Sequence, residues 1–186
     1  MLPKMRFSFR SETCAAAVAC LLAAVPSFSH AQSVTGAGSS FAAPIYEAWA
    51  SAAKADTGVN VNYQTVGSSA GQNQILAGTV DFGASDAPMD AKKLESAHLF
   101  QFPTVMGGIV PVVNIPGIKA DVLVLSGDVL AAIYSGDITS WNDPKIAALN
   151  PGVSLPDTAV APIHRADGSG TTFVFTSYLD QSSKNW

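Results

Sequence analysis

Arginine is nearly absent from this chain. Of 186 residues only Arg6, Arg10 and Arg165 are arginine, so a single guanidinium lies beyond residue 10. Cysteine is scarcer, with Cys14 and Cys20 the whole complement. Both fall in the first twenty residues, so neither disulfides nor thiolate ligands can organise the remainder of the chain. Histidine stands only at 30, 98 and 164, and none has a partner at metal-ligand spacing. Metal chemistry therefore has little support. Charge is sparse, at 13% of residues. From Gln32 onward 13 acidic side chains face 7 basic ones, a net charge of −6. Such a balance argues against nucleic acid or an anionic membrane as a partner, since both favour basic faces. Beyond residue 31 no apolar run is long enough to span a bilayer.

What is present begins with an export signal. Lys4, Arg6 and Arg10 form a positive n-region and CAAAVACLLAAV (14–25) an apolar h-region. Pro26 breaks that run, and Ser29-His30-Ala31 supplies small residues for cleavage after Ala31. Twelve apolar residues are too few for a stable anchor. Lipid attachment at Cys20 is the alternative, though Ala-Val-Ala before it lacks the usual leucine. The exported portion, 32–186, suits one ordinary domain or one lobe and part of another.

From Val34 onward short apolar runs alternate with amphipathic stretches, as in an α/β protein. Pro44 is tolerated in a first helical turn, and Ile45, Trp49 and Ala53 follow at four-residue spacing. This predicts a helix through about Ala55, stopped near Gly58. VNVNYQTV (59–66) predicts a strand, then GSSAG (67–71) opens a short helix through Leu76. VDFGAS (80–85) predicts a second strand, ending at Asp86-Ala87-Pro88. FPTVMGGIVPVVNIPG (102–117) is long and apolar; its paired glycines and prolines predict a bent strand or crossover. Helices are expected over 128–136 and 143–149, and a strand over 160–165. No solenoid period or low-complexity tract occurs.

One pattern recurs. GAGSSF (36–41), GSSAG (67–71) and DGSGTT (167–172) each put a Gly/Ser/Thr cluster directly before an amphipathic segment. Helix starts carry unpaired N–H groups and the positive end of the dipole, and glycines admit a ligand to the backbone. Singly, each cluster reads as ordinary capping. The third stands beside Arg165, whose planar fork suits a carboxylate or a tetrahedral oxyanion. Asp167 reads either as a surface ion-pair partner or as the group that orients the guanidinium. An acidic chain offers an anion no long-range attraction, so binding would rest on short, directional hydrogen bonds.

In order, TGAGSSFAAPIYEAW, VNYQTVGSSAGQNQI, VDFGASDAPM, FQFPTVMGGIVPVVNIPG, IYSGDITSWNDPKIAALNPG and HRADGSGTTFVFTSYL resemble the periplasmic phosphate-binding proteins of ABC phosphate importers. The resemblance runs from Val34 to Leu179 and is most specific in VDFGASDAP and RADGSGT. It implies a periplasmic-binding-protein-like, two-lobed α/β fold, incomplete at the C-terminus. The first lobe would span 32–115 and a truncated second lobe 116–186. It implies a monomer that takes inorganic phosphate in the cleft, uses no cofactor and delivers its ligand to membrane permease subunits. Carried over by motif, Ser40 and Phe41 would bind through hydroxyl and backbone N–H, with the Phe41 ring in the core. Ser68 would donate from the second helix start. Asp86 would accept a proton from the ligand. Arg165, Ser169, Gly170 and Thr171 would close from the other lobe, with Asp167 steering Arg165. An ionised carboxylate only accepts, so Asp86 can pair with HPO₄²⁻ or H₂PO₄⁻ but not with fully ionised sulfate. Sites that bond a substrate proton can reject its analogue by ~10⁴–10⁵. Ser40 stands where many relatives carry threonine, and Ala70 where glycine is frequent.

Three rival classes compete. GSSAG satisfies G-x-S-x-G, with Ser69 as nucleophile and His98 or His164, and Asp81 or Asp121, as partners; no HGGG-like oxyanion element accompanies it. Nucleotide binding is unsupported, as no phosphate-loop lysine motif occurs and GAGSSF lacks the third glycine of a dinucleotide fingerprint. A secreted adhesion protein that keeps the fold without transport is the third reading. Because family members continue well past Trp186, segment 32–186 alone is expected to fold poorly or to bind phosphate weakly. Calorimetric titration at micromolar phosphate checks this: a tight, stoichiometric isotherm would contradict it.

Overall fold

The computed structural model describes Gln32–Trp186. The export signal expected over 1–31, with Cys20 and the cleavage after Ala31, lies outside the described residues. Strand β1 (Ser33–Gly38) is the middle of a parallel sheet ordered β2-β1-β3, with β2 (Asn60–Thr65) and β3 (Phe82–Ala84) at its flanks. Parallel neighbours need crossover connections. Helix α1 (Ala43–Thr57) joins β1 to β2 and helix α2 (Ser68–Leu76) joins β2 to β3. Pro44 sits in the first turn of α1. Gly58 closes that helix in the left-handed region, its N–H donating to the Lys54 carbonyl at 3.1 Å.

The two helices cover opposite faces of the sheet. On one face Tyr46 of α1 meets Tyr63 edge-on at 5.1 Å, and Tyr63 stacks on Phe82 at 6.0 Å. Gly36 makes room for the Phe82 ring, since a Cβ there would lie 2.0 Å from it. On the other face α2 rests directly on β1. A Cβ at Gly71 would stand 2.4 Å from the Gly38 Cα and 2.6 Å from the Ala37 carbonyl oxygen. Trp49, expected on the buried face of α1, packs beside Tyr46 at 5.6 Å yet stays half exposed. Helix α3 (Ala91–Ser96), which the sequence pattern does not announce, starts at Asp90, whose carboxylate accepts the N–H groups of Lys92 and Lys93.

The C-terminal part is helical. Helices α4 (Gly127–Ser135), α5 (Pro144–Leu149) and α6 (Gly170–Ser182) are capped by Ser126, Asp143 and Ser169. Val129, Ile133, Ile138 and Ile146 form one buried cluster; Leu130, Ala131 and Leu179 join α4 to α6 in another. The buried Asn150 side chain accepts from Val124 N–H at 2.7 Å and donates to the Val124 and Ile146 carbonyls, both at 2.8 Å. It serves Val124 as a strand neighbour would.

The 102–117 stretch, expected as a bent strand or a crossover, is not a strand, and the strand expected over 160–165 does not form. Among the described residues, 102–117 pairs with no strand, and its glycines and prolines keep it from becoming a helix. It carries much exposed apolar surface: Met106 is 96% and Val112 89% accessible. Just before 160–165 a single antiparallel bridge joins Ser140 to Ala159, and Val160 N–H donates to the Thr139 carbonyl at 2.8 Å. Unpaired backbone beside large apolar side chains favours self-association. The 32–186 chain should therefore sediment as mixed oligomers at micromolar concentration. The double substitution Phe102→Lys, Met106→Lys should shift it toward monomer without changing its helical circular dichroism.

Candidate functional site

All three sheet strands point their carboxyl ends at one place. Ser39-Ser40 follows β1, Gly67-Ser68 follows β2, and Asp86 lies two residues past β3. The chain steps outward from β1 in one direction to β2 and in the other to β3. The crevice at such a reversal is where open parallel sheets bind ligands. Tyr63 steadies the β1 end by donating its hydroxyl to the Ser39 carbonyl at 2.7 Å. Burial raises the Tyr63 pKa, with the Tyr46 and Asp86 charges adding, so it stays a donor. Gln72 fixes the β3 end, donating to Ser85 Oγ at 2.9 Å and the Ala87 carbonyl at 3.0 Å.

The start of α6 docks against these turns because two glycines let it. A Cβ at Gly170 would lie 2.5 Å from Ser68 Oγ and 2.8 Å from Asp86 Cβ; one at Gly168 would lie 2.2 Å from Ser69 Oγ. Ser69 N–H donates to the Gly168 carbonyl at 3.0 Å. Three helix N-termini, those of α1, α2 and α6, thus gather around Asp86. Its carboxylate accepts from Ser39 Oγ at one oxygen and from Thr171 Oγ1, at 3.1 Å, at the other. Its own N–H donates to Ser68 Oγ at 3.2 Å. The N–H groups of Ser40, Ser68, Gly170 and Thr171 have no acceptor among the described residues. They are the orphan donors a helix start leaves for an anion.

Arg165 approaches the same turns from the helical part. Its Nε donates to Asp167 Oδ1 at 2.7 Å, its Nη2 to Asp167 Oδ2, and its Nη1 to Ser40 Oγ. The fork is bidentate and planar, which fixes the guanidinium's direction. The hydrogen bond from Arg165 lowers the Asp167 pKa, and the same bond raises that of Arg165. Gly67 admits this pair from a backbone conformation that favours glycine: its φ is 88°, and a Cβ would stand 2.6 Å from Asp167 Oδ2.

The expected residues Ser40, Phe41, Ser68, Asp86, Arg165, Asp167, Ser169, Gly170 and Thr171 come together here, with three differences of detail. The Phe41 N–H donates to Ser39 Oγ at 3.1 Å, so it is already engaged. The Phe41 ring is not in the core: it is 38% exposed and lies over Gly107. Ser169 caps α6, accepting from Thr172 N–H at 3.2 Å. Sequence reasoning misses Ser39. It is 1% exposed, and its hydroxyl also accepts from Ala42 N–H at 3.3 Å. A cavity of about 470 Å³ opens beside the carboxylate, walled by Ser39, Phe41, Asp86, Phe102, Met106 and Thr171 among others. Arg165 does not line it.

The hydrolase geometry is not assembled. Ser69 abuts Gly168, and neither His98 nor His164 hydrogen-bonds it; His164 Nδ1 lies 3.0 Å from the Arg165 carbonyl. Asp81 instead accepts Thr35 N–H at 2.7 Å. Among the described residues no three His, Cys, Asp or Glu side chains are placed to hold a metal ion.

A protein-family model for the PBP superfamily domain matches residues 24–185. The phosphate-binding protein PstS of Haemophilus influenzae is 57% identical over 159 residues, covering 86% of this chain and 48% of that protein. PstS of Xylella fastidiosa is 48% identical over 153 residues, covering 82% and 42%. The chain thus spans about half the length of the curated relatives it matches. A crystal structure of a phosphate ABC transporter substrate-binding protein from Clostridium perfringens, with bound phosphate, superposes with a TM-score of 0.61. It shares 24% identity and covers 83% of this chain and 60% of that one, a likeness of fold.

The Arg165–Asp167 pair has a defined pH window. Since the pair favours the charged carboxylate, it is intact above the ordinary carboxylate pKa and is lost as pH falls through the lowered one. The Arg165 Nε resonance should therefore hold steady from pH 7 through about pH 4, the unperturbed aspartate range. Asp167→Asn should displace it at every pH; a wild-type resonance that moves already at pH 5 would contradict the assignment.

Proposed function

This chain belongs to the PBP superfamily, and we propose that its site recognises inorganic phosphate for uptake by an ABC importer. One observation carries the reading: the Asp86 carboxylate and the Arg165 guanidinium, 79 positions apart, hold the adjacent hydroxyls of Ser39 and Ser40. A lone cation, orphan N–H groups and hydroxyls make an anion site; a carboxylate among them makes it one for an anion that still carries a proton. Orthophosphate meets that condition near neutral pH and sulfate does not.

In this reading Ser40, Ser68, Ser169 and Thr171 supply hydroxyls and Gly170 a backbone N–H group, while the Phe41 N–H, expected as a donor, stays on Ser39 Oγ. Asp86 accepts the ligand's proton. Arg165, aimed by Asp167, contributes the charge. Residues 32–115 and 116–186 act as the two lobes, each bringing one half of the donor set. No bond is made or broken in the ligand, so the protein serves as a carrier and not as an enzyme. It works outside the inner membrane after export and hands phosphate to the permease subunits. The PstS relatives and the fold of the phosphate-bound Clostridium protein support this.

Amide spectra recorded during anion titration test the reading even where affinity is weak. Millimolar phosphate should move the Ser40, Ser68 and Thr171 N–H resonances, and equal sulfate should not. Arg165→Lys keeps the charge but loses the fork, and should weaken phosphate by about tenfold. Equal responses to the two anions would overturn the assignment.

A further inference from the structure

Every polar atom of Ser39 is committed. Its N–H donates to the Ala84 carbonyl at 2.9 Å, and its carbonyl accepts the Tyr63 hydroxyl at 2.7 Å. Its hydroxyl oxygen accepts N–H groups from Phe41 at 3.1 Å and Ala42 at 3.3 Å. A hydroxyl has two acceptor lone pairs and one proton. With both lone pairs turned toward the start of α1, the proton is left for Asp86 Oδ1, which it reaches. Ser39 is 1% exposed, so water does not compete for that proton. The other oxygen, Oδ2, is held only by Thr171 Oγ1 at 3.1 Å, from the helical part.

We propose that Ser39 is a positioning residue for Asp86: it ties down Oδ1 and leaves Oδ2 as the oxygen that reads the ligand's proton. The proposal rests on the phosphate reading for its consequence but not for its geometry. Thr171 shares Oδ2 through a rotatable hydroxyl and can turn toward an arriving anion. Ser39 has no such freedom, because two backbone donors fix it. Specificity then depends on a hydroxyl that does not itself touch the ligand.

Two measurements on the wild-type chain, Ser39→Ala and Ser39→Thr decide it. Without anion, the Asp86 carboxyl carbon resonance should move in Ser39→Ala and return in Ser39→Thr. With anion, Ser39→Ala should lose about tenfold of the preference for phosphate over sulfate, with sulfate binding unchanged. Ser39→Gly repeats the hydroxyl deletion should the threonine methyl disturb the fold, judged by the β1–β3 amide resonances. An unmoved Asp86 resonance in the deletion variants would overturn the proposal, as would proportional weakening of both anions. A wild-type chain that does not prefer phosphate would overturn the phosphate reading, while the carboxyl comparison still decides the role of Ser39.

Discussion

A carboxylate held between two hydroxyls, Ser39 on one oxygen and Thr171 on the other, joins the two parts of this molecule. Asp86 comes from the end of β3, Ser39 from the end of β1 and Thr171 from the first turn of α6. Three helix N-termini face that one negative charge, an arrangement the helix dipole favours. The same contacts set the docking of α6 on the sheet, so an anion that engages Asp86 or Thr171 also acts on how the parts meet. In the proposed reading, recognition and docking share their hydrogen bonds.

The glycines make this convergence sterically feasible. Gly71 lets α2 lie on β1, which brings Ser68 beneath Asp86. Gly168 and Gly170 then let the start of α6 approach Ser69 and Ser68 without a side chain between. The G-x-S-x-G match at 67–71 arises from the same requirements. Gly67 adopts a positive-φ backbone beside the Arg165–Asp167 pair, and Gly71 touches β1. Both glycines are explained by packing, with no need for a nucleophile between them.

Much of this is legible in the sequence because short-range chemistry announces itself. Caps and breakers place α1, α2, α4 and α5 to within two residues, and short apolar runs place β2 and β3. The recurrence of Gly/Ser/Thr clusters before helices, one beside the only distal arginine, brings the site residues to notice together. Strand β1 escapes because SVTGAG is mostly glycine and small residues, suited to close approach by Phe82 and Gly71, so it lacks β-propensity. The 102–117 run leaves a bent strand or a crossover open: its composition suits a strand, but strands are made by partners, and none pairs with it among the described residues. Ser39 is hidden beside Ser40 because adjacent serines look alike in sequence. Only the fold shows that one is buried against Asp86 and the other meets Arg165.

The acidic balance of the chain fits this division of labour. With 13 acids and 7 bases from Gln32 onward, the long-range field repels a phosphate that nears the surface. That repulsion acts on every anion alike and so cannot distinguish among them. In the proposed reading, what distinguishes them acts within hydrogen-bond distance: the guanidinium fork, the orphan N–H groups and a carboxylate that repels any oxyanion without a proton to offer. Were the site lined with several lysines, attraction would be stronger and sulfate would share it. In the proposed phosphate reading, one arginine, held in direction by Asp167 and opposed by Asp86, gives up affinity from net charge and keeps the part of binding that depends on the ligand's protonation.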